Sequence, residues 1–97
     1  MIAKNRKYAI ILSMNNKHRK TLQAVLSDPV NGNLEWSRIE ALLVALGCRV
    51  IEGLGSAVTF ELEGRRANFH RPHPGNEALR YRVKAVREFL EKIGVQP

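Results

Sequence analysis

Cysteine is nearly absent from this chain. Its 97 residues include one, Cys48, so no disulfide can close within the chain and the cross-linked secreted scaffolds are excluded. A lone thiol fits a reducing cytosol, and with no catalytic partner spaced near it Cys48 reads as a small buried hydrophobe. Long apolar runs are missing too. Lys4, Arg6 and Lys7 ahead of Tyr8, Ala9, Ile10, Ile11 and Leu12 resemble the charged start of a signal peptide, but the run is too short and no small-residue cleavage site follows. No stretch reaches the apolar length that a bilayer demands. There is no glycine-rich phosphate loop of the Walker type, because Gly53-Leu54-Gly55 opens a strand instead of a helix. Ser56 lacks the spaced acid-base partners of a serine nucleophile. His70 and His73 lack a third and fourth ligand nearby, so neither zinc nor another cofactor is expected.

Acidic residues are the last shortage. Nine Asp and Glu stand against sixteen Lys and Arg, giving +7 and a pI near 10.2, a balance that favours a polyanionic partner such as nucleic acid or an acidic protein. A membrane surface is the weaker option, because the basic residues spread over several elements instead of forming one amphipathic arm.

What is present reads as one domain with one modest core. Residues 1–16 are expected to be an extension, upstream of a start at Met14, and residues 17–97 a single domain. A helix is expected over 17–27, with Leu22, Val25 and Leu26 on one face and Ser27-Asp28-Pro29 closing it. Lys17, His18, Arg19 and Lys20 crowd its first turn against the helix dipole, and a solvated basic end is the ordinary reading of such a cluster. In a second helix Ser37 and Glu40 match a capping box, Ile39, Leu42, Leu43 and Leu46 recur at helical spacing, and Gly47 terminates. Trp36, just before that cap, reads as a core or staple residue.

Three strands follow. The first covers Cys48 to Glu52. A two-residue turn at Glu63-Gly64 would then pair Leu62 with Arg65, Phe60 with Ala67 and Val58 with Phe69 on one face. The other face pairs Glu61 with Arg66, Thr59 with Asn68 and Ala57 with His70. Each face is chemically coherent, and His70 falls on the exposed one. After Phe69-His70-Arg71-Pro72-His73-Pro74 a last helix is expected from about Arg80 to Ile93, with Leu79, Val83, Val86, Leu90 and Ile93 as its apolar stripe. Arg80, Lys84 and Arg87 form a neighbouring stripe whose like charges repel, which gives a phosphate- or partner-binding role weight over a merely solvated face.

This order of elements, with Gly55-Ser56, Pro72-His73-Pro74, a basic helix and a closing Leu90-x-x-Ile93-Gly94, resembles the HicA (YcfA-like) toxins of prokaryotic toxin–antitoxin pairs over roughly Glu35 to Val95. The resemblance implies an α+β fold like the double-stranded-RNA-binding domain, in which a three-stranded antiparallel sheet carries both helices on one face (α-β-β-β-α). The helix over 17–27 is an addition to that layout. It also implies an endoribonuclease that cleaves mRNA, is inhibited by a HicB-like antitoxin, and assembles only within that complex.

One position departs from the family pattern. The catalytic histidine of the family follows Gly-Ser directly, and here Ala57 stands there. A dead enzyme, an engineered inactivation and a histidine supplied from elsewhere are all compatible with this. The register favours the last, because cross-strand Cβ atoms lie roughly 4.5 to 5.5 Å apart, which would put the imidazole of His70 over the same surface. RNA carries its own nucleophile in the 2′-hydroxyl, so a base, an acid and cations suffice without metal. The expected site is His70 as base and His73 as acid, with Arg66 and Arg71 as the nearest phosphate stabilisers and Arg80, Lys84 and Arg87 binding RNA. Against this stands the plainer reading, that both histidines decorate a proline-stiffened turn.

Overall fold

The first helix starts one residue earlier than its basic cluster suggests. In the computed structural model, which describes residues 14–73 and 75–95, Asn15 caps α1 (Asn16–Leu26) by accepting the His18 N–H at 2.9 Å, as N-cap asparagines do. Most of the expected extension, together with Pro74, Gln96 and Pro97, lies outside the described residues. Leu22 and Val25 are buried and Leu26 packs at the margin of the core.

β1 (Leu34–Glu35) leads directly into α2 (Trp36–Ala45). The expected capping box does not form. The helix begins at Trp36, Glu35 occupies the cap position without a side-chain bond, and Glu40 is turned to other partners described below. The end of α2 is as expected: Gly47 takes φ +101°, its N–H donates to the Val44 carbonyl at 2.9 Å, and the Cys48 N–H reaches back to Leu43 at 3.0 Å. This six-to-one closure needs a left-handed residue and carries Cys48 into the core, where it is 7% exposed.

β2 (Arg49–Glu52), β3 (Ala57–Leu62) and β4 (Arg65–His70) form an antiparallel sheet in the order β2-β3-β4. The β3–β4 register is the expected one throughout, from Leu62↔Arg65 to Ala57↔His70. Glu63 and Gly64 both take positive φ, 54° and 83°, the twist a two-residue hairpin loop requires. Val58, Phe60 and Phe69 join the core from one face, while Arg66, Asn68 and His70 are exposed on the other.

A ribbon escapes the sequence pattern. β1 pairs with β5 (Glu77–Ala78), matching Leu34 to Ala78 and Glu35 to Glu77. α3 (Arg80–Lys92) follows, and repeats the glycine closure of α2 through Gly94 N–H to Glu91 and Val95 N–H to Leu90. Its buried side comprises Val83, Val86, Phe89 and Leu90, continued by Ile93. Leu79, expected in that stripe, is instead 54% exposed, because it sits at the cap position where the chain is still extended. α1 packs on both α2 and α3, and α3 on β4, so the core lies between the helices and one face of the three-stranded sheet. This is the α+β, double-stranded-RNA-binding-like arrangement, with α1 added. No helix among the described residues is long and apolar enough to cross a membrane.

Candidate functional site

His70 ends β4 on the outer face of the sheet and is exposed. Its backbone neighbour continues the ladder by one step, the Arg71 N–H donating to the Ser56 carbonyl at 2.9 Å. That step brings Ser56 Oγ to 3.3 Å from His70 Nδ1. The loop before β3 is pinned by Gly53 N–H to Ala57 carbonyl at 2.9 Å and Ala57 N–H to Leu54 carbonyl at 3.0 Å, with Gly55 at φ +59°. A small turn of fixed shape therefore delivers Ser56 to the imidazole.

Arg71 follows His70 in the chain but points the other way, as strand alternation dictates. On the helix-facing side its Nε donates to Glu40 Oε2 at 2.6 Å and its Nη2 to Glu40 Oε1 at 3.2 Å. Its Nη1 and Nη2 also reach Glu52 at 2.8 and 3.0 Å. The hydrogen bond from Arg71 holds the Glu52 carboxyl below its ordinary range. Glu52, and then Glu40, push the guanidinium still further from deprotonation. Glu40 also accepts from Trp36 Nε1, and the Trp36 ring lies 5.4 Å from that of Phe69, the residue before His70. The Ser37–Glu40 spacing is that of a capping box, but Glu40 serves this network instead.

The remaining predicted cations are dispersed. Arg66 is exposed and opposite Glu61. The Glu61 carboxyl is held low by the Gly64 N–H, then by Arg49. On α3 Lys84 is exposed, and Arg80 donates from Nε to the Val30 carbonyl at 3.2 Å. Arg87 is half-buried and donates to the Val25 and Ser27 carbonyls at 3.0 and 2.7 Å. It thereby satisfies the negative end of α1, where orphan carbonyls attract cations. That contact relieves the repulsion expected along the stripe.

His73 is exposed in the loop after β4, three residues beyond His70. It lines a groove of about 620 Å³ with Glu35, Asn76, Glu77, Leu79 and Arg82. His70 is not among the residues that line this groove. Among the described residues no three His, Cys, Asp or Glu side chains gather as metal ligands.

A sequence-family model, that of the HicA toxin of bacterial toxin-antitoxin, matches residues 36–95. No curated protein and no solved structure matches the chain.

Proposed function

The chain belongs to the HicA toxin family of bacterial toxin–antitoxin systems, and from that premise we propose that it is a metal-independent endoribonuclease, cleaving mRNA in the cytoplasm and silenced by a HicB-like antitoxin. The observation that supports this most is the pairing of Ala57 with His70 across the ladder. The imidazole absent from position 57 has a counterpart one strand away, on the same outer face.

His70 acts as the base. When its Nδ1–H donates to Ser56 Oγ, the lone pair of Nε2 is free to take the proton of an RNA 2′-hydroxyl. The 2′-oxygen attacks phosphorus, the bond to the 5′-oxygen breaks, and a 2′,3′-cyclic phosphate and a 5′-hydroxyl result. His73 returns a proton to the leaving 5′-oxygen. Arg66, Arg80 and Lys84 supply positive charge to the backbone of the bound strand. Arg71 and Arg87, drawn onto protein acceptors, serve as positioning residues: one fixes the end of β4 under His70, the other fixes α1 against α3.

Ala57 favours a second reading, a non-catalytic module of the same fold that binds RNA or the antitoxin. The two separate in one experiment, incubation of a generic mRNA with purified protein in EDTA. Cleavage that disappears in His70→Ala and on adding antitoxin is the expected result. An inert wild-type protein that becomes active as Ala57→His would establish the second reading instead.

A further inference from the structure

The outer face of the sheet is built in cross-strand rungs, and the rung carrying His70 is nearly bare. Ala57 stands opposite the imidazole, and on the far side of Ala57 comes Gly53, tied to it by the N–H to carbonyl bond at 2.9 Å. A Cβ at position 53 would lie 2.9 Å from Ala57 Cβ, so the close approach of the two residues excludes any side chain there. Neighbouring strands are about 4.8 Å apart. The floor beside His70 is therefore about as wide as a ribose or a base and has nothing larger than a methyl group standing on it.

The next rung, roughly 6.7 Å back along β4, carries Thr59 and Asn68. The Thr59 hydroxyl donates to Asn68 Oδ1 at 2.5 Å, and Asn68 is exposed. An unconstrained asparagine presents an acceptor and a donor together and reads adenine with the pair. In Asn68 the acceptor is engaged by Thr59, which leaves the amide N–H groups as what it presents to the floor.

We infer that Asn68 is a specificity-determining residue, donating to a carbonyl oxygen of the base seated on the Gly53–Ala57 floor beside His70. Uracil and guanine carry such an oxygen on the edge they present, and adenine carries none. Thr59 fixes the preference by holding the amide in one orientation. The identity of the ligand rests on the RNA-cleaving reading above, but the preference is a property of binding and is measured without cleavage.

The probes are 2′-O-methyl hexamers of uridine and of adenosine, which offer no 2′-hydroxyl to a base, titrated with the full chain by fluorescence anisotropy. Adenosine oligomers stack on themselves, so the quantity read is the change in the uridine-to-adenosine affinity ratio between variants. Losing one hydrogen bond in Asn68→Ala should lower that ratio about fivefold. Asn68→Asp, an acceptor only, should lower it further by accepting from the adenine amine. Thr59→Val, which frees the amide to turn, should lower it with Asn68 still present. A ratio unchanged by Asn68→Ala and Asn68→Asp, or no binding of either hexamer, overturns the inference. A ratio that responds as expected in a protein that cuts no RNA would sustain Asn68 and defeat the proposed chemistry. Cleavage without a response would do the reverse.

Discussion

Arg71 and Glu40 lie 31 residues apart in the chain and meet at 2.6 Å, joining the end of β4 to the first turns of α2. With Glu52 on the opposite side of the guanidinium, the contact gathers the sheet end and a helix at a half-exposed position. Charge-assisted bonds of this kind contribute more than neutral ones, and the planar fork of arginine suits two carboxylates at once. Arg71→Gln should lower stability by about 2 kcal/mol in urea titration, with Arg71→Lys recovering part. The salt dependence of RNA binding should not change, because the charge removed faces the helices. An unaltered urea midpoint would show the network to be incidental to folding.

Acid should weaken the same region. The folded state lowers the Glu52 and Glu61 carboxyl pKa values, so the stability they contribute is present above the unfolded carboxyl range and is lost as pH falls through the folded values. Thermal melts from about pH 6 to about pH 2 should decline through that window. The decline should be shallower in the double variant Glu52→Gln, Glu61→Gln. Both side chains touch water, so the difference should be modest.

Burial raises the Cys48 thiol from 9.0 to about 11, aided by the charge of Glu61. The unfolded chain then ionises first, and stability should fall as pH rises between those two values. Thiol reagents should label the folded protein slowly near neutral pH and quickly after denaturation. Rapid labelling of the native protein would contradict the placement of Cys48 behind the glycine turn.

Arg87 and Lys84, on one helix, should behave differently. Arg87→Ala strips the capping donors from α1 and should cost about 1 to 3 kcal/mol. Lys84→Ala should cost little stability but reduce the log–log salt slope of RNA binding by about 0.7. Reversing the charges of Arg80 and Lys84 together should abolish binding of an acidic antitoxin surface. An affinity indifferent to both would move that interface to another face.

Position 57 tests the cross-strand exchange. Ala57→His should keep or raise RNA cleavage, since it adds an imidazole to the outer face opposite His70, and it should lower the uridine-to-adenosine ratio, since it fills the floor on which the base would sit. Gly53→Ala should be poorly tolerated, because its new Cβ would fall 2.9 Å from that of Ala57. Its urea midpoint, compared with that of Ala57→His, is the check.

Much of this is legible in the sequence. The β3–β4 register followed from one turn, because Glu63 and Gly64 admit a two-residue loop and strand alternation then fixes every partner. The same alternation exposes His70, and by the next step sends Arg71 to the helices, a corollary the spacing contains but the motif obscures. Glu40 reads as a cap because a capping box is a local pattern, while its partners Arg71 and Trp36 are chosen by tertiary packing. Leu79 has the right spacing for the stripe of α3 but precedes the helix, so its periodicity is accidental, and Phe89 occupies the core instead. β1 and β5 have two residues each, too few for any period to be seen. The Ser56–His70 contact depends on a loop shape that composition alone does not specify.

That short ribbon sets how the region around His73 can open. It anchors the chain that follows His73, through Leu34↔Ala78 and the Trp36 N–H to Asn76 carbonyl bond at 2.9 Å. Its partners are distant in sequence, whereas the β3–β4 hairpin is closed by neighbours, so loop-closure entropy weighs on the ribbon far more than on the hairpin. Few bonds hold it against that entropy. The sheet that carries His70 should therefore exchange slowly, and the ribbon should release while the sheet stays whole. In deuterium, the amides of Trp36 and of the ribbon should exchange well before those of Val58 and Phe60, making the approach to the loop a local event that needs no global unfolding.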